Sequence, residues 1–162
     1  MKKIVIIGAN DFQNPLILKA KEMGYETHVF AWKDGSIGEQ TADYFYPISI
    51  VELDTILKVC KKIKPDAVAS IGSDLAYITV NYLASKLNLN CNDPRNILKQ
   101  TNKYEMRRAL KDAGLPVPKF ICVSDSKNID LKDLKFPVIV KPTDRSGSRA
   151  ITKLETNKGL KE

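Results

Sequence analysis

The chain has 162 residues, of which 43% are hydrophobic, and a formal net charge of +7. This length allows one ordinary domain, or one domain and part of another, with enough apolar residues for a packed core. No apolar run approaches the roughly 20 residues that a bilayer span needs, and the first residues lack the length and cleavage site of a signal peptide. We therefore expect a globular, cytoplasmic chain with no membrane partner.

The cysteines and the charge distribution narrow the classes of ligand. Cys60, Cys91 and Cys122 are odd in number and show no CxxC spacing, which is typical of reduced, partly buried thiols and not of a disulfide framework or a metal site. The lysines are scattered, with no arginine-rich stripe and no aromatic stacking platform, which argues against nucleic acid. The positive charge leaves an anionic small molecule as a candidate ligand.

Residues 1–92 alternate between predicted strands and helices. The strands are predicted at residues 2–7, 27–31, 44–48 and 67–71. A polar loop is predicted after Trp32, between the second strand and the third. Alternation of buried strands with amphipathic helices predicts an α/β fold, with a parallel, Rossmann-like sheet and helices on both faces.

Capping signals predict where the helices of this region begin. Asn14 and Pro15 predict the N-cap and first turn of a helix that Gly24 closes. A capping box at Ser49 and Glu52 opens the next helix, whose apolar residues fall at helical spacing: Leu53, Ile56, Leu57, Cys60 and Ile63. Either Ser73 or Asp74 caps the helix after the fourth strand.

The pattern changes after Asn92. A helical turn is predicted at Pro94, followed by a helix that a capping box at Asn102 and Glu105 opens and Gly114 ends. The inward stripe of that helix is predicted to be Met106, Leu110 and Ala113. Short strands are predicted at residues 120–123, 138–140 and 151–154, and their spacing indicates an antiparallel sheet. Residues 157–162 resemble the first turn of a helix.

We therefore expect three parts: an α/β domain at residues 1–92, linker helices at 93–116 and a second domain at 117–162. The second domain is expected to be incomplete, because its predicted strands would leave one face of the sheet uncovered.

The first candidate site lies where ligands of parallel α/β sheets bind, at the carboxyl ends of the strands. Gly8 follows the first strand, but Asn10 and Gln13 replace the second and third glycines of the dinucleotide-binding motif, which argues against NAD or FAD. Gly8, Asn10, Ser73 and Asp74 remain candidate substrate-binding residues. Capping of a helix is a sufficient alternative role for Asp74.

The second candidate site begins at Lys141, which follows the apolar stretch FPVIV at residues 136–140. A lysine at the exit of an apolar strand keeps its stem against the sheet and presents its ammonium group to an anionic ligand. In the loop that follows, the backbone of Ser146, Gly147 and Ser148 can form an anion nest, and Arg145 and Arg149 add charge at its rim. A solvated hairpin loop is an equally compatible interpretation of this segment alone.

The order of these parts resembles the ATP-grasp superfamily, in the branch of biotin carboxylase and carbamoyl phosphate synthase. The resemblance covers the entire chain: "TNKYEMRRALKDAGLPVPKF" is similar to the linker of the family, and "FPVIVKPTDRSGSR" is similar to its strand and phosphate loop. It implies that residues 1–92 form the domain preceding the ATP-grasp fold and that residues from 117 onward begin its small lobe.

The resemblance also implies roles for individual residues. Lys103 would contact the nucleotide phosphates, and Lys141 would contact the α-phosphate and the edge of adenine. The β- and γ-phosphates would be covered by Ser146, Gly147 and Ser148. The sequence departs from the family at Asn102, where Asp is common, and at Ala150, where related loops often carry Gly, so that closure of the loop is in doubt.

The implied activity is that of an ATP-dependent ligase, which activates a carboxylate as an acyl phosphate for attack by an amine or similar nucleophile. ATP and Mg²⁺ are the implied cofactors, with Mg²⁺ ligands expected only in a larger lobe that the sequence does not contain, so the chain is expected to be an inactive amino-terminal part. Small-molecule carboxylate and amine substrates are the implied partners, and a homodimer through the first domain stays open. The alternative is a non-catalytic α/β module that binds a small anion or a nucleotide.

Overall fold

The structure is a computed structural model that describes residues 1–125, 129–131, 133–145 and 147–160. The chain divides into two compact units, Met1–Ile97 and Leu98–Glu162, and each is described by itself. In the described part of the chain, every helix is too short or too polar to cross a bilayer.

The first unit alternates strands and helices. Its strands are β1 Lys3–Ile7, β2 Glu26–Phe30, β3 Tyr44–Tyr46 and β4 Ala67–Ala69. Its helices are α1 Asn14–Glu22, α2 Gly38–Thr41, α3 Leu53–Ile63 and α4 Asp74–Lys86, and a 3-10 turn follows at Pro94–Asn96. All strand pairs are parallel, in the order β3-β2-β1-β4. The strand order therefore reverses between β1 and β4, the position at which sheets of this type bind ligands.

The side chains of β1 alternate between two hydrophobic cores, as strand geometry requires. Val5 and Ile7 belong to a core that contains buried residues of α3 and α4. Ile4 and Ile6 belong to a second core, with buried residues of α1. The predicted parallel α/β sheet with helices on both faces is confirmed.

Helix α3 follows its predicted periodicity but starts later than predicted. The buried positions are Ile56, Leu57, Cys60 and Ile63. The helix begins at Leu53, so Ser49 is not its N-cap. Only half of the capping box forms: the Glu52 carboxylate accepts a hydrogen bond from the Ser49 backbone N–H at 3.2 Å.

Two other local features of the first unit differ from prediction. Helix α1 has Gln13 at its N-cap and Asn14 as its first residue. The loop predicted after Trp32 contains the short helix α2, which packs on the turn after β1. The Gly38 N–H donates to the Ala9 carbonyl oxygen at 2.9 Å, and a Cβ on Gly38 would lie 2.5 Å from that oxygen. Glycine at this position therefore permits the close approach.

The second unit contains two helical segments and a two-stranded sheet. Helix α5, Ile97–Thr101, lies at the division, and α6 Lys103–Asp112, β5 Val138–Val140, β6 Thr152–Leu154 and a 3-10 turn at Asn157–Leu160 follow. β5 and β6 pair antiparallel, as predicted. The predicted strand at 120–123 is wrong, because this backbone is irregular and Phe120 instead packs edge-on against Tyr104 of α6, at 5.6 Å between ring centroids.

Two predictions of burial in the second unit are also wrong. Met106 and Leu110 are each 37% exposed, and Ala113 is exposed, because the opposite face of α6, with Tyr104, contacts the rest of the unit. The strand that ends at Lys141 is not buried either, since Ile139 is 57% exposed.

Candidate anion-binding site

The start of α6 is fixed by its cap. The Asn102 side-chain oxygen accepts hydrogen bonds from the backbone N–H groups of Tyr104 at 3.0 Å and Glu105 at 3.1 Å. Asn caps helices about as well as Asp, so Asn102 serves as the cap at a position where Asp was expected. Lys103 is consequently held at the first position of the helix.

Lys103 is bound to the segment that follows Lys141. The Lys103 backbone N–H donates to the Thr143 carbonyl oxygen at 2.7 Å. Its ammonium group also donates to the carbonyl oxygen of Arg145. These two contacts join the first turn of α6 to the exit of β5, and so they bring the two predicted lysines into one region.

The electrostatics of Lys141 indicate the same proximity. Burial lowers the pKa of the Lys141 ammonium, and the positive charges of Arg107 and Lys103 lower it further. Desolvation and neighbouring cations both disfavour a protonated lysine. An anion placed among these three groups would relieve their mutual repulsion.

A cavity of about 740 Å³ adjoins Lys103, Arg107 and Lys141. Its charged lining residues are all basic: Lys103, Arg107, Lys119 and Lys141. Of the described residues, none that lines the cavity is a carboxylate, and most of the remaining lining residues are apolar. The cavity is therefore suited to a ligand with a polyanionic end and an apolar, planar or aliphatic end.

The loop after Lys141 has an unusual backbone. Gly147, Ser148 and Ala150 have φ values of +70°, +55° and +52°, whereas Arg149 between the last two does not have a positive φ. Residues 147–150 form a turn, a conformation in which successive backbone N–H groups can form an anion nest. Ala150 adopts a conformation that Gly would adopt without strain. Ser146 lies outside the described residues.

The predicted loop residues and the cavity do not coincide in the described part of the second unit. The residues that line the cavity do not include Gly147, Ser148 or Arg149. The structure therefore brings together Lys103 and Lys141, and the described loop residues Gly147, Ser148 and Arg149 do not line the cavity.

The candidates of the first unit lie at the carboxyl ends of the neighbouring strands β1 and β4. Gly8 has a φ of +100°, and a Cβ there would lie 2.9 Å from the side chain of Gln13. The Gln13 side-chain amide donates to the Ile71 carbonyl oxygen at 2.7 Å. Gly8 is therefore required for the close packing that joins the two turns.

Two of the other candidates of the first unit, Asn10 and Ser73, have local backbone partners. The Asn10 side-chain oxygen accepts from the Phe12 N–H at 2.9 Å. The Ser73 hydroxyl accepts from the Ala76 N–H at 3.2 Å and caps α4, which makes Asp74 the first helical residue. These two contacts explain Asn10 and Ser73 without a ligand. The capping role predicted as an alternative for Asp74 is wrong, because Ser73 is the N-cap, and the position at the sheet edge is the one where ligands bind.

Arg107 forms a cation cluster with Lys103 and Lys141. Its role was not predicted from the sequence. The available signal was its spacing: residues four apart on a helix share a face, so Arg107 lies one turn after Lys103. The apolar spacing of the same helix predicted a different inward face. Lys119, which also lines the cavity, follows an irregular connector and gave no comparable signal.

The chain is similar to known proteins both in sequence and in fold. No protein-family model matches the chain. It is 24% identical over 152 residues to a formate-dependent phosphoribosylglycinamide formyltransferase of Prochlorococcus marinus (strain MIT 9515), covering 91% of this chain and 39% of that protein.

Two solved structures share the fold across nearly the whole chain. The L-amino acid ligase of Bacillus licheniformis superposes with a TM-score of 0.82 at 20% identity, covering 99% of this chain and 41% of the other. The N5-carboxyaminoimidazole synthetase of Staphylococcus aureus, complexed with ADP, gives a TM-score of 0.81 at 21% identity, covering 98% and 43%. The chain thus spans about two-fifths of the length of each of these three proteins.

Proposed function

The chain belongs to the ATP-grasp superfamily, and on that premise we propose that it forms part of an ATP-dependent ligase. The reaction would transfer the γ-phosphoryl group of ATP to a carboxylate, giving an acyl phosphate and ADP. An amine or similar nucleophile would then attack the acyl carbon and release orthophosphate. The proposal concerns the whole enzyme, because the relatives are more than twice as long as this chain.

The observation that carries the proposal is the cavity beside Lys103 and Lys141. Its charged lining is entirely basic among the described residues, which suits a triphosphate, and its apolar lining suits the adenine ring. Lysine is a common phosphate ligand in nucleotide sites. The ADP complex of the Staphylococcus aureus synthetase supports a nucleotide as the anion.

We assign phosphate contacts to Lys103 and Lys141, coverage of the β- and γ-phosphates to Ser146, Gly147 and Ser148, and additional charge at the rim of the loop to Arg149. Coverage would require the loop to move toward the cavity, whose described lining does not include its residues. Residues of the first unit at the ends of β1 and β4, namely Gly8, Asn10, Ser73 and Asp74, would contact the carboxylate or amine substrate.

The residues that the structure describes do not offer a magnesium site. The described residues contain no group of three or more His, Cys, Asp or Glu side chains placed to hold a metal ion. Carboxylate oxygens are the usual protein ligands of Mg²⁺, and the described cavity lining contains none. We therefore assign the metal to no residue of the chain, and we expect the chain alone not to complete the reaction.

A cytoplasmic location is part of the proposal. The thiols of Cys60, Cys91 and Cys122 are all free, and unpaired cysteines are typical of a reducing compartment.

The activity test follows ADP and orthophosphate release from ATP by the intact gene product, with panels of carboxylates and amines. The proposal predicts ADP formation that requires both a carboxylate and a nucleophile, with one condensation product per ADP. ATP binding without turnover, for every substrate pair, would favour the alternative of a non-catalytic nucleotide-binding module.

A further inference from the structure

Arg107 lies one helical turn after Lys103 on α6 and lines the same cavity. Its charge is close enough to Lys141 to lower the pKa of that lysine, with a larger effect than that of Lys103. A third cation nearby disfavours the protonated form of Lys141 unless an anion is also present. The arrangement is therefore one that a bound anion would stabilise.

The Arg107 side chain is held by an aromatic ring. Its guanidinium carbon lies 6.0 Å from the ring centroid of Phe120, and that ring packs edge-on against Tyr104. No carboxylate of the described part of the chain forms an ion pair with Arg107. Stacking on an aromatic face leaves the N–H donors of a guanidinium available for hydrogen bonds in its plane.

The neighbouring arginine has a different environment. Arg108 pairs with the carboxylate of Glu105 at 3.3 Å, and its side chain is 55% exposed. Its guanidinium carbon lies 5.8 Å from the ring centroid of Tyr104. Two adjacent arginines of one helix thus differ in whether a protein carboxylate neutralises them, which makes Arg108 a matched control.

We infer that Arg107 is a third anion-binding residue of this cavity, and that its guanidinium binds phosphate oxygens of the same ligand as Lys103 and Lys141. The planar fork of arginine can donate two parallel hydrogen bonds to a phosphate, whereas lysine acts as a point charge. This inference rests on the proposed function and adds to it a residue that fixes the orientation of the phosphate chain.

The test is an NMR titration of the 162-residue chain with ATP and, separately, with inorganic tripolyphosphate, which has the phosphates but no adenine. Arg107→Met is expected to weaken the binding of both anions about tenfold, the scale of one lost charge-assisted hydrogen bond. Arg107→Lys should restore part of the loss, because it keeps the charge but not the fork. Arg108→Met should leave both affinities within about twofold, as expected for an exposed pair.

The outcomes separate this inference from the proposed function. Unchanged affinity in Arg107→Met, together with a loss in Lys141→Met, would overturn the role of Arg107 and leave the nucleotide site intact. Failure of the wild-type chain to bind either anion would overturn the role of Arg107 and the assignment of this cavity, whereas the ligase proposal is tested separately by ADP release from the intact gene product. If thermal melting shows that Arg107→Met is unfolded, Arg107→Gln decides by the same criterion. A purely structural role for Arg107 predicts a lower melting temperature with unchanged affinity, which also contradicts the inference.

Discussion

The backbone N–H of Lys103 donates a hydrogen bond to the carbonyl oxygen of Thr143 at 2.7 Å. Together with the bond from the Lys103 ammonium group to the Arg145 carbonyl, across 42 positions of sequence, it joins the linker helix to the segment after β5. A lysine that the sequence places far from Lys141 therefore contributes to the same cation cluster.

Replacement of either lysine should weaken nucleotide binding. Lys103→Met and Lys141→Met should each cost about 1.5–3 kcal/mol of ATP binding free energy, the scale of a hydrogen bond to a charged group. Isothermal titration calorimetry of the intact gene product measures this loss. Lys62→Met, on an exposed position of α3, is the control and should have little effect. Equal losses in all three variants would mean that net charge, and not the cavity, determines affinity.

Affinity for the anion should fall at alkaline pH. The pKa of Lys141 is lowered from 10.5 by burial and by the charges of Arg107 and Lys103, and a bound anion favours the protonated form. Binding therefore takes up a proton once the pH rises above the lowered pKa of Lys141 in the anion-free site, and affinity decreases as the pH rises further. In Lys141→Arg, whose guanidinium stays protonated, this decrease should be absent. A decrease that persists unchanged in Lys141→Arg would assign it to another group.

The two units differ in how much of the fold and of the candidate site could be predicted from the sequence. The alternation of strands and helices, the parallel sheet and the buried face of α3 followed from periodicity, because both faces of this sheet are packed within the same unit. The cap at Asn102 was also predictable, since capping depends on neighbouring residues only.

The second unit was predicted less well because its contacts are not local. Apolar spacing suggested that Met106 and Leu110 face inward, but the packed face of α6 carries Lys103, Tyr104 and Arg107. Periodicity does not reveal a face that packs through an aromatic residue and long basic side chains. The strand predicted at residues 120–123 failed for a related reason, since β propensity requires a neighbouring strand with which to pair.

The three thiols should react at very different rates. Burial raises the pKa of Cys60 to about 12, whereas Cys91 and Cys122 are exposed. At pH 8 the thiolate fraction of Cys60 is about one in ten thousand, which adds to its steric protection. Titration with a chromogenic disulfide should show two fast thiols and a third that appears only in denaturant. Three equal rates in the native protein would contradict the buried position of Cys60.

Asp43 should stabilise the first unit through its carboxylate. Its Oδ2 accepts hydrogen bonds from the Thr27 backbone N–H at 2.9 Å and hydroxyl at 2.8 Å, and the Lys21 ammonium lies 2.8 Å from Oδ1. Burial raises the pKa of Asp43. The hydrogen bonds from Lys21 and Thr27 lower this pKa by more than burial raises it, so that the net change is a decrease from 3.8. Asp43→Asn should lower the free energy of unfolding at pH 7 by about 1–2 kcal/mol.

The acid dependence of this effect has a defined sign. Because the pKa of Asp43 is lower in the folded state, its contribution is complete above pH 3.8 and is lost as pH falls through the folded-state pKa. The difference in stability between wild type and Asp43→Asn, measured by urea unfolding, should therefore shrink below that pH. Glu22→Gln, which removes an exposed pair with Lys19, should change stability little at any pH. A constant difference across the acid range would contradict the assignment to the charged carboxylate.

The most direct test of the nucleotide site is affinity labelling with an acyl phosphate of ATP, in which a nearby lysine attacks the acyl carbon, forms an amide and releases ATP. Mass spectrometry of the digested protein then identifies the acylated lysines. Labelling should concentrate on Lys103 and Lys141, exceed that of Lys62 and decrease with excess ATP. Labelling of Lys103 and Lys141 that is no greater than that of Lys62, or that excess ATP does not reduce, would contradict the assignment of this cavity to ATP.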